Sequence, residues 1–251
     1  MKGNKMSEEK AVVIISGGMD STTLLYDIVK QGYEVYALSF NYNQKHKREL
    51  MMAKRTCFKL GIDHRIVDLN VLNQLAPSAL TRKYWKIPEG HYEGENMKQT
   101  VVPNRNMVML SLATAYAIGL GAEKVFYGAH AGDHEIYPDC RKEFVDIMKK
   151  AIKICDWKVV DLEAPYLTID KGDIVIKGTK LEVDYKNTLT CYKGKTKACG
   201  RCGSCTERIL AFNKAKRIDP IEYDGGWQKV LDEAIKQQEQ GKKNKKRFLF
   251  W

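Results

Sequence analysis

Among 251 residues, no stretch approaches the roughly 18 consecutive apolar positions that a membrane-spanning helix needs. The opening MKGNKMSEEK has no signal-peptide hydrophobic region, so a cytoplasmic location and no membrane partner are expected. No internal repeat is present, which excludes solenoid and propeller arrays. A disulfide framework is excluded too. Seven cysteines in a chain of this length and compartment point instead to a metal site or reactive thiols. What is present is 44% hydrophobic and 29% charged, the balance of a globular domain with a substantial core. The net charge of +11 raises nucleic acid as a partner, but its placement argues against that. Five of those charges, Lys242, Lys243, Lys245, Lys246 and Arg247, crowd into one tail, and a body near +6 suits an enzyme for anionic substrates.

Strand-like and helix-like segments alternate. AVVIIS, EVYALSF and HRIVDL are β-branched runs, separated by the helical STTLLYDIVKQG and KHKRELMMAKRTCFKLG, which end at Gly32 and Gly61. Such alternation implies right-handed crossovers and a parallel sheet, hence an α/β fold. From Pro77 to Pro103 the periodicity breaks around KIPEGHYEGENMKQT, a loop long enough for a lid or for a disordered insertion. Order resumes with the apolar helix NMVMLSLATAYAIGLGA, the strand KVFYGA, the amphipathic KEFVDIMKKAIKI and the strand-like KVVDLEAP. The expected organisation is a flexible start (1–10), an ATP-binding α/β domain (11–185), a cysteine segment (186–226), a helix (227–241) and a basic-aromatic tail (242–251), read as solvated and disordered.

The first strand runs into SGGMDST. A Walker A loop needs a lysine after its second glycine, and the dinucleotide fingerprint needs three spaced glycines. Here Gly17 and Gly18 are adjacent, no lysine follows, and Ser16, Ser21, Thr22 and Thr23 surround them. Adjacent glycines let the backbone approach an anion, and the free N–H groups opening the next helix favour negative charge. Asp20 can cap that helix or help to hold Mg²⁺. This loop resembles the pyrophosphate loop of the ATP pyrophosphatase superfamily, whose members cut ATP between the α- and β-phosphates and adenylate a substrate. The resemblance implies a Rossmann-like parallel sheet of the adenine nucleotide α-hydrolase type, with helices on both faces.

Near the C-terminus, CYKGKTKACGRCGSC sets Cys191, Cys199, Cys202 and Cys205 in a C-x7-C-x2-C-x2-C array. Four thiolates at this spacing suit a closed, structural, tetrahedral Zn²⁺ site. An iron–sulfur cluster is the other reading, although the ferredoxin pattern would place a cysteine where Ile209 stands. Of the remaining thiols, Cys57 reads as core packing, Cys140 as supporting the site and Cys155 as unassigned.

Five segments, SGGMDST, NYNQKHKRE, VPNRN, YPDCRKEF and TLTCY with CGRCGSCTER, run in order over about three-quarters of the chain. Together they resemble the 7-cyano-7-deazaguanine synthases, which make the nitrile precursor of queuosine and archaeosine. Asn43 and Asn104 stand where that family usually has glycine, but asparagine is the side chain that best tolerates a left-handed backbone. The resemblance implies a ligase that joins ammonia to 7-carboxy-7-deazaguanine through an adenylate and an amide, consuming ATP with Mg²⁺ and carrying one Zn²⁺ per chain, as a homodimer.

It also implies site residues. Ser16, Gly17, Gly18, Met19, Asp20, Ser21 and Thr22 would hold the β,γ-phosphates. Arg105 would grip a phosphate or the substrate carboxylate, with Asn106 beside it and Lys171 meeting nucleotide or substrate. Gln44 and His46 would line the adenine or substrate side. In GAHAGDHEIYPDCR, one of Asp133, Glu135 or Asp139 would pair with the guanine-like edge, and His130 and His134 are either general bases or surface residues. Two competing readings are a tRNA-thiolating enzyme with a similar loop and a non-catalytic zinc module whose basic-aromatic tail docks on nucleic acid or membrane.

Overall fold

The computed structural model describes residues 9–193 and 196–248. The expected flexible start lies outside them up to Glu8, as do the last three residues of the tail. Five strands, β1 (Lys10–Ile14), β2 (Glu34–Asn41), β3 (Asp63–Asp68), β4 (Lys124–Phe126) and β5 (Asp161–Glu163), form one sheet in the order β3-β2-β1-β4-β5. Every neighbouring pair is parallel. β1 is central and β2 and β4 flank it, so the strand order runs outward in opposite senses from β1, and a crevice opens above its C-terminal end.

Side-chain alternation along β1 explains the layers. Val12 faces a core shared with Leu110, Ala113 and Ala117 of α4 (Arg105–Leu120) and Val145, Met148 and Ile152 of α5 (Lys142–Lys153). Ala11 and Val13 face the opposite core, with Leu24, Leu25 and Ile28 of α1 (Met19–Lys30), Ala53 and Cys57 of α2 (Arg48–Leu60), and Ile174 of α6 (Lys171–Lys180). Helices therefore cover both faces, and Cys57 is core packing. Gly61 takes a left-handed φ of 68° where α2 stops. Asn43 and Asn104 adopt φ of 62° and 59°, so both turns keep the backbone that glycine would have given them.

Several elements go beyond the periodic ones. A short α3 (Asn70–Leu75), α6 and α7 (Gly203–Lys214) are helical, and the long loop is neither open nor structureless. It contains a 3₁₀ turn (Glu95–Thr100), buries Leu80, Tyr92 and Met97, and ties to the main body where Thr100 Oγ1 and Tyr137 OH lie 2.8 Å apart. Helix α8 (Trp227–Phe248) continues past residue 241, through the backbone of most of the segment expected to be a loose tail.

The cysteine segment packs as its own small core. Leu189, Ile209, Tyr223, Val230 and Ala234 enclose the four thiols. It is pinned by Arg208, fully buried on α7, whose Nε and Nη2 meet Asp219 Oδ2 and Oδ1 at 2.6 and 2.9 Å. The same guanidinium donates to Thr188 Oγ1 at 2.8 Å and to the Tyr185 carbonyl at 3.1 Å.

Candidate active site

The loop after β1 is shaped by contact with α2. Gly17 has φ of 91°, and a Cβ built on it would stand 1.9 Å from the Glu49 carbonyl oxygen, so no side chain fits there. Gly18 is the N-cap of α1 and makes no side-chain cap, which leaves the first-turn N–H groups facing outward. Two hydroxyls stiffen the turn: Ser16 Oγ accepts from Gly18 N–H at 3.2 Å and lies 3.0 Å from Ser21 Oγ. This is a preformed anion cradle at a helix N-terminus.

Above it lies a cavity of about 230 Å³. Of the expected site residues, Ser16, Gly18, Asp20, Ser21, His46, Arg105, Asn106, Asp133 and Lys171 all line it. The others stand behind. Gly17 is the turn itself, Thr22 is buried on α1, and the Met19 side chain belongs to a core with Val175, Tyr185 and Phe212. Gln44 is saturated by the backbone and a neighbour, accepting from Tyr42 N–H at 3.0 Å and donating to Phe40 O and Glu49 Oε1 at 3.3 Å. Asp139 accepts from Asn106 N–H at 3.1 Å, while its Oδ1 is buried without a partner.

Several wall residues carried no signal of their own in the sequence. Tyr42, Tyr92, Tyr127, Tyr137 and Tyr192 form an aromatic lining, and Glu49 and Thr190 join them, with Cys140, expected to support the site, in the wall as well. Arg105 sits among these rings, 5.8 Å from the Tyr42 centroid and 6.0 Å from that of Tyr137. Burial works against its charge, but Tyr42, Asp139 and Tyr137 hold the guanidinium protonated above its ordinary range. Cys140 donates nothing ionic: burial pushes its thiol well up, so it remains neutral. Asp20 Oδ1, His46 Nδ1, Tyr127 OH and Thr190 Oγ1 line the cavity buried and without partners. Unpartnered polar atoms gathered in one cavity are what a polar ligand would satisfy.

Beside the loop is a buried charge cluster. Lys171 Nζ lies 3.3 Å from Asp20 Oδ2 and 2.5 Å from Glu207 Oε2. Burial opposes its charge, yet Asp20, Glu207 and Asp133 together hold the ammonium above its ordinary range. Asp133 is resisted by burial too, and His130, Lys171 and the Tyr92 hydroxyl, 2.8 Å from its Oδ1, keep it ionised below the usual carboxylate range. His130 is 1% exposed, so it is no surface histidine. Its Nδ1 accepts from Gly132 N–H at 3.1 Å, which leaves Nε2 to carry the proton toward Asp133 and Asp20, 3.5 and 3.9 Å away. His134 lies outside the cavity. Glu207 went unremarked in the sequence because a glutamate inside CTER looks like a solvated helix residue.

Sulfur geometry is equally compact. All four ligand atoms of Cys191, Cys199, Cys202 and Cys205 lie within 4.8 Å of one another, a group that can hold a metal ion. Cys199 Sγ accepts from Arg201 and Cys202 N–H at 3.5 and 3.3 Å, and Cys191 Sγ from Cys199 N–H at 3.4 Å. Such bonds orient sulfur ligands. The segment also touches the phosphate loop, since Leu189 N–H donates to the Gly17 carbonyl at 3.0 Å.

Residues 10–216 match the family described as Queuosine biosynthesis protein QueC. The chain belongs to this family. A 7-cyano-7-deazaguanine synthase of Caldicellulosiruptor saccharolyticus is 64% identical over 215 residues, covering 86% of this chain and 96% of that one. Another, of Methanoregula boonei, is 62% identical, covering 86% and 99%. Among solved structures, the U34-tRNA thiolase NcsA of Methanococcus maripaludis with its [4Fe-4S] cluster superposes with a TM-score of 0.47 at 14% identity, over 92% of this chain and 72% of that one. That likeness is too slight to bear on function.

Proposed function

We propose that the chain is a 7-cyano-7-deazaguanine synthase, joining ammonia to 7-carboxy-7-deazaguanine at the expense of ATP. The observation that carries this is an anion cradle opening into an aromatic cavity with a buried Arg–Lys–carboxylate wall, in a chain 64% identical to a relative of that name. The loop residues Ser16 to Thr22 hold the β,γ-phosphates through helix N–H groups and hydroxyls. Arg105 holds the substrate carboxylate near the α-phosphate, and the tyrosines sandwich the deazapurine. Both Asp133 oxygens are committed to Tyr92 and His130, whereas Asp139 keeps one oxygen unpartnered. Of the two only Asp133 lines the cavity; Asp139 stands behind it and fixes Asn106, a lining residue that can meet the guanine-like edge. His46 offers its unpartnered Nδ1 to the same ligands.

The carboxylate oxygen attacks the α-phosphorus and pyrophosphate leaves. Ammonia then forms a C–N bond as AMP departs, which gives the amide. A second ATP adenylates the amide oxygen, and loss of AMP and a proton leaves the nitrile. Lys171 neutralises charge that develops at the loop, and the cradle receives the charge on departing pyrophosphate. Mg²⁺, when bound, supplies charge neutralisation on the phosphates. The orphaned Asp20 Oδ1 is a hard oxygen suited to hold it.

The four thiolates fit one Zn²⁺. Tetrahedral Zn–S bonds of ~2.3 Å place sulfurs ~3.8 Å apart. Here Cys199 and Cys205 stand at 3.9 Å. A four-iron cluster takes each thiolate on a different iron and so spreads the sulfurs further apart; the compact spacing here supports the zinc reading over the thiolating one. A cytoplasmic homodimer completes the proposal.

The test is turnover. Purified, zinc-loaded protein given the acid, ATP, Mg²⁺ and ammonium should yield the nitrile by mass spectrometry, with AMP and pyrophosphate. Folded protein that releases no AMP with this acid refutes the assignment.

A further inference from the structure

Joining nitrogen to the adenylated acid needs a base. At neutral pH dissolved ammonia is almost all ammonium, whose nitrogen has no lone pair to attack with. Among the described residues that line the phosphate-side cavity, most titratable groups are unsuited to take that proton. Arg105 and Lys171 are already cations, held so by acidic and phenolic neighbours. The lining tyrosines and Cys140 keep their own protons, because burial pushes each of them up. Asp133 is held below the usual carboxylate range, which makes it a poor base, and Asp20 is paired with Lys171 at 3.3 Å. His46 and Glu49 remain.

These two form a buried pair at the start of α2. His46 is 5% exposed, and its Nε2 lies 3.3 Å from Glu49 Oε1, which also accepts from Gln44 Nε2 at 3.3 Å. The carboxylate draws the imidazole proton to Nε2, so Nδ1, buried and without a partner, carries a lone pair. The Tyr192 ring packs against the imidazole with centroids 5.8 Å apart. Two chains of contacts fix where this pair stands. The Glu49 carbonyl abuts Gly17 of the phosphate loop, where a Cβ would come within 1.9 Å of it. Gln44, which holds Glu49, accepts from Tyr42 N–H at 3.0 Å, and Arg105 Nη1 donates to Tyr42 OH at 3.4 Å. His46 is therefore framed between the loop that takes the phosphates and the guanidinium that takes the carboxylate.

We propose that His46 is the general base of amide formation, taking a proton from ammonium at Nδ1, with Glu49 as the positioning residue that orients the ring. This rests on the ligase reading above, which sets the acyl-phosphate bond between that loop and Arg105. Ammonium gives one proton to Nδ1, and the freed lone pair forms the C–N bond. The C–O bond to AMP breaks with its electron pair leaving on AMP. The surplus proton on nitrogen passes to water, and the imidazolium, steadied by the Glu49 carboxylate, returns its own to water after AMP departs.

The test compares two nucleophiles. Hydroxylamine is largely uncharged at neutral pH, so it attacks the same adenylate without a base and gives a hydroxamate, read by its ferric colour. Acid-dependent ATP–pyrophosphate exchange, run without either amine, reports adenylation. His46→Gln keeps a donor toward Glu49 but loses the Nδ1 lone pair. It should lower amide formation from ammonium about 100-fold beyond any change in exchange or in hydroxamate formation. Glu49→Gln still accepts from Gln44 and should lower the ammonium reaction about tenfold by the same comparison; it also serves should His46→Gln not fold. A merely structural role would move all three rates together. Ammonium and hydroxylamine rates that fall in parallel, or an ammonium rate that does not fall, overturn the assignment. Wild-type protein without acid-dependent exchange removes the ligase reading instead, and the base with it.

Discussion

Replacing Lys171 by methionine keeps the stem of the side chain and deletes the ammonium that Asp20, Asp133 and Glu207 share. Breaking a buried ion pair from one side commonly costs ~3–5 kcal/mol, because the abandoned charge stays buried. Here there is a relief path. Burial already raises the Glu207 carboxyl, so the variant can take up a proton there instead of unfolding. The cost of that proton sets a ceiling. From an ordinary carboxyl value of 4.5, protonation at pH 7 costs ~3 kcal/mol, and at pH 5 less than ~1 kcal/mol.

The sign follows from linkage. In the variant the folded pKa of Glu207 lies further above its unfolded value, so the folded state binds a proton that the unfolded chain releases. Stability is then lost as pH rises from about 4.5 toward that folded value. The Lys171 contribution in the parent protein is, by contrast, intact across this window, since its own folded pKa is raised above 10.5. Urea unfolding of zinc-loaded Lys171→Met and parent protein at pH 5 and pH 7 should therefore give a deficit that grows by ~2–3 kcal/mol between the two. Equal deficits at both pH values would show that the cluster is not electrostatically coupled as described. Lys171→Arg keeps the charge and should recover most of the stability.

Three further outcomes are expected. Arg208→Met leaves the buried Asp219 carboxylate without its cation, held by the Tyr223 hydroxyl and the Ile221 N–H, and should lower stability by ~3–5 kcal/mol in the same urea assay. Gly17→Ala must move its new Cβ away from the Glu49 carbonyl and also strains a φ of 91°. Fluorescent-nucleotide titration should show ATP affinity down by ~10-fold or more, while far-ultraviolet circular dichroism keeps the α/β signal. Cys202→Ser should abolish stoichiometric zinc, read by atomic emission, and lower the thermal midpoint, whereas Cys155→Ser, at an exposed site outside the cluster, should change neither.

Much of this architecture was legible because its signals are local. β-Branched runs, Gly32, Gly61 and the helix at 105–120 obey short-range rules, and two-residue cysteine gaps bring ligands together whatever the rest of the chain does. The loop glycines announced an anion because their spacing matched neither common cradle. What escaped was set by distant partners. Tyr92 enters the site only because the long loop folds back onto Asp133 and Tyr137, and no periodicity encodes that return. Glu207 is 36 residues from Lys171 and alone reads as a solvated charge; Lys171 itself was legible only through the resemblance. Helices α6 and α7 were missed because their apolar faces are small and are completed by neighbouring helices. Met19 is a different case: its side chain belongs to the core, so only its backbone N–H, at the first turn of α1, is left to face the loop.

The hydrogen bond from Leu189 to Gly17 makes the sulfur cluster and the phosphate loop two ends of one lever. Cys191 stands two residues beyond Leu189, so an ion held by the four thiolates also fixes the strip of backbone that latches the loop. Any such coupling is reciprocal: if metal tightens nucleotide binding by some factor, bound nucleotide must tighten metal by the same factor. The working enzyme, saturated with ATP, would then hold its ion most firmly, and a chain starved of nucleotide would be the first to surrender it to a competing chelator.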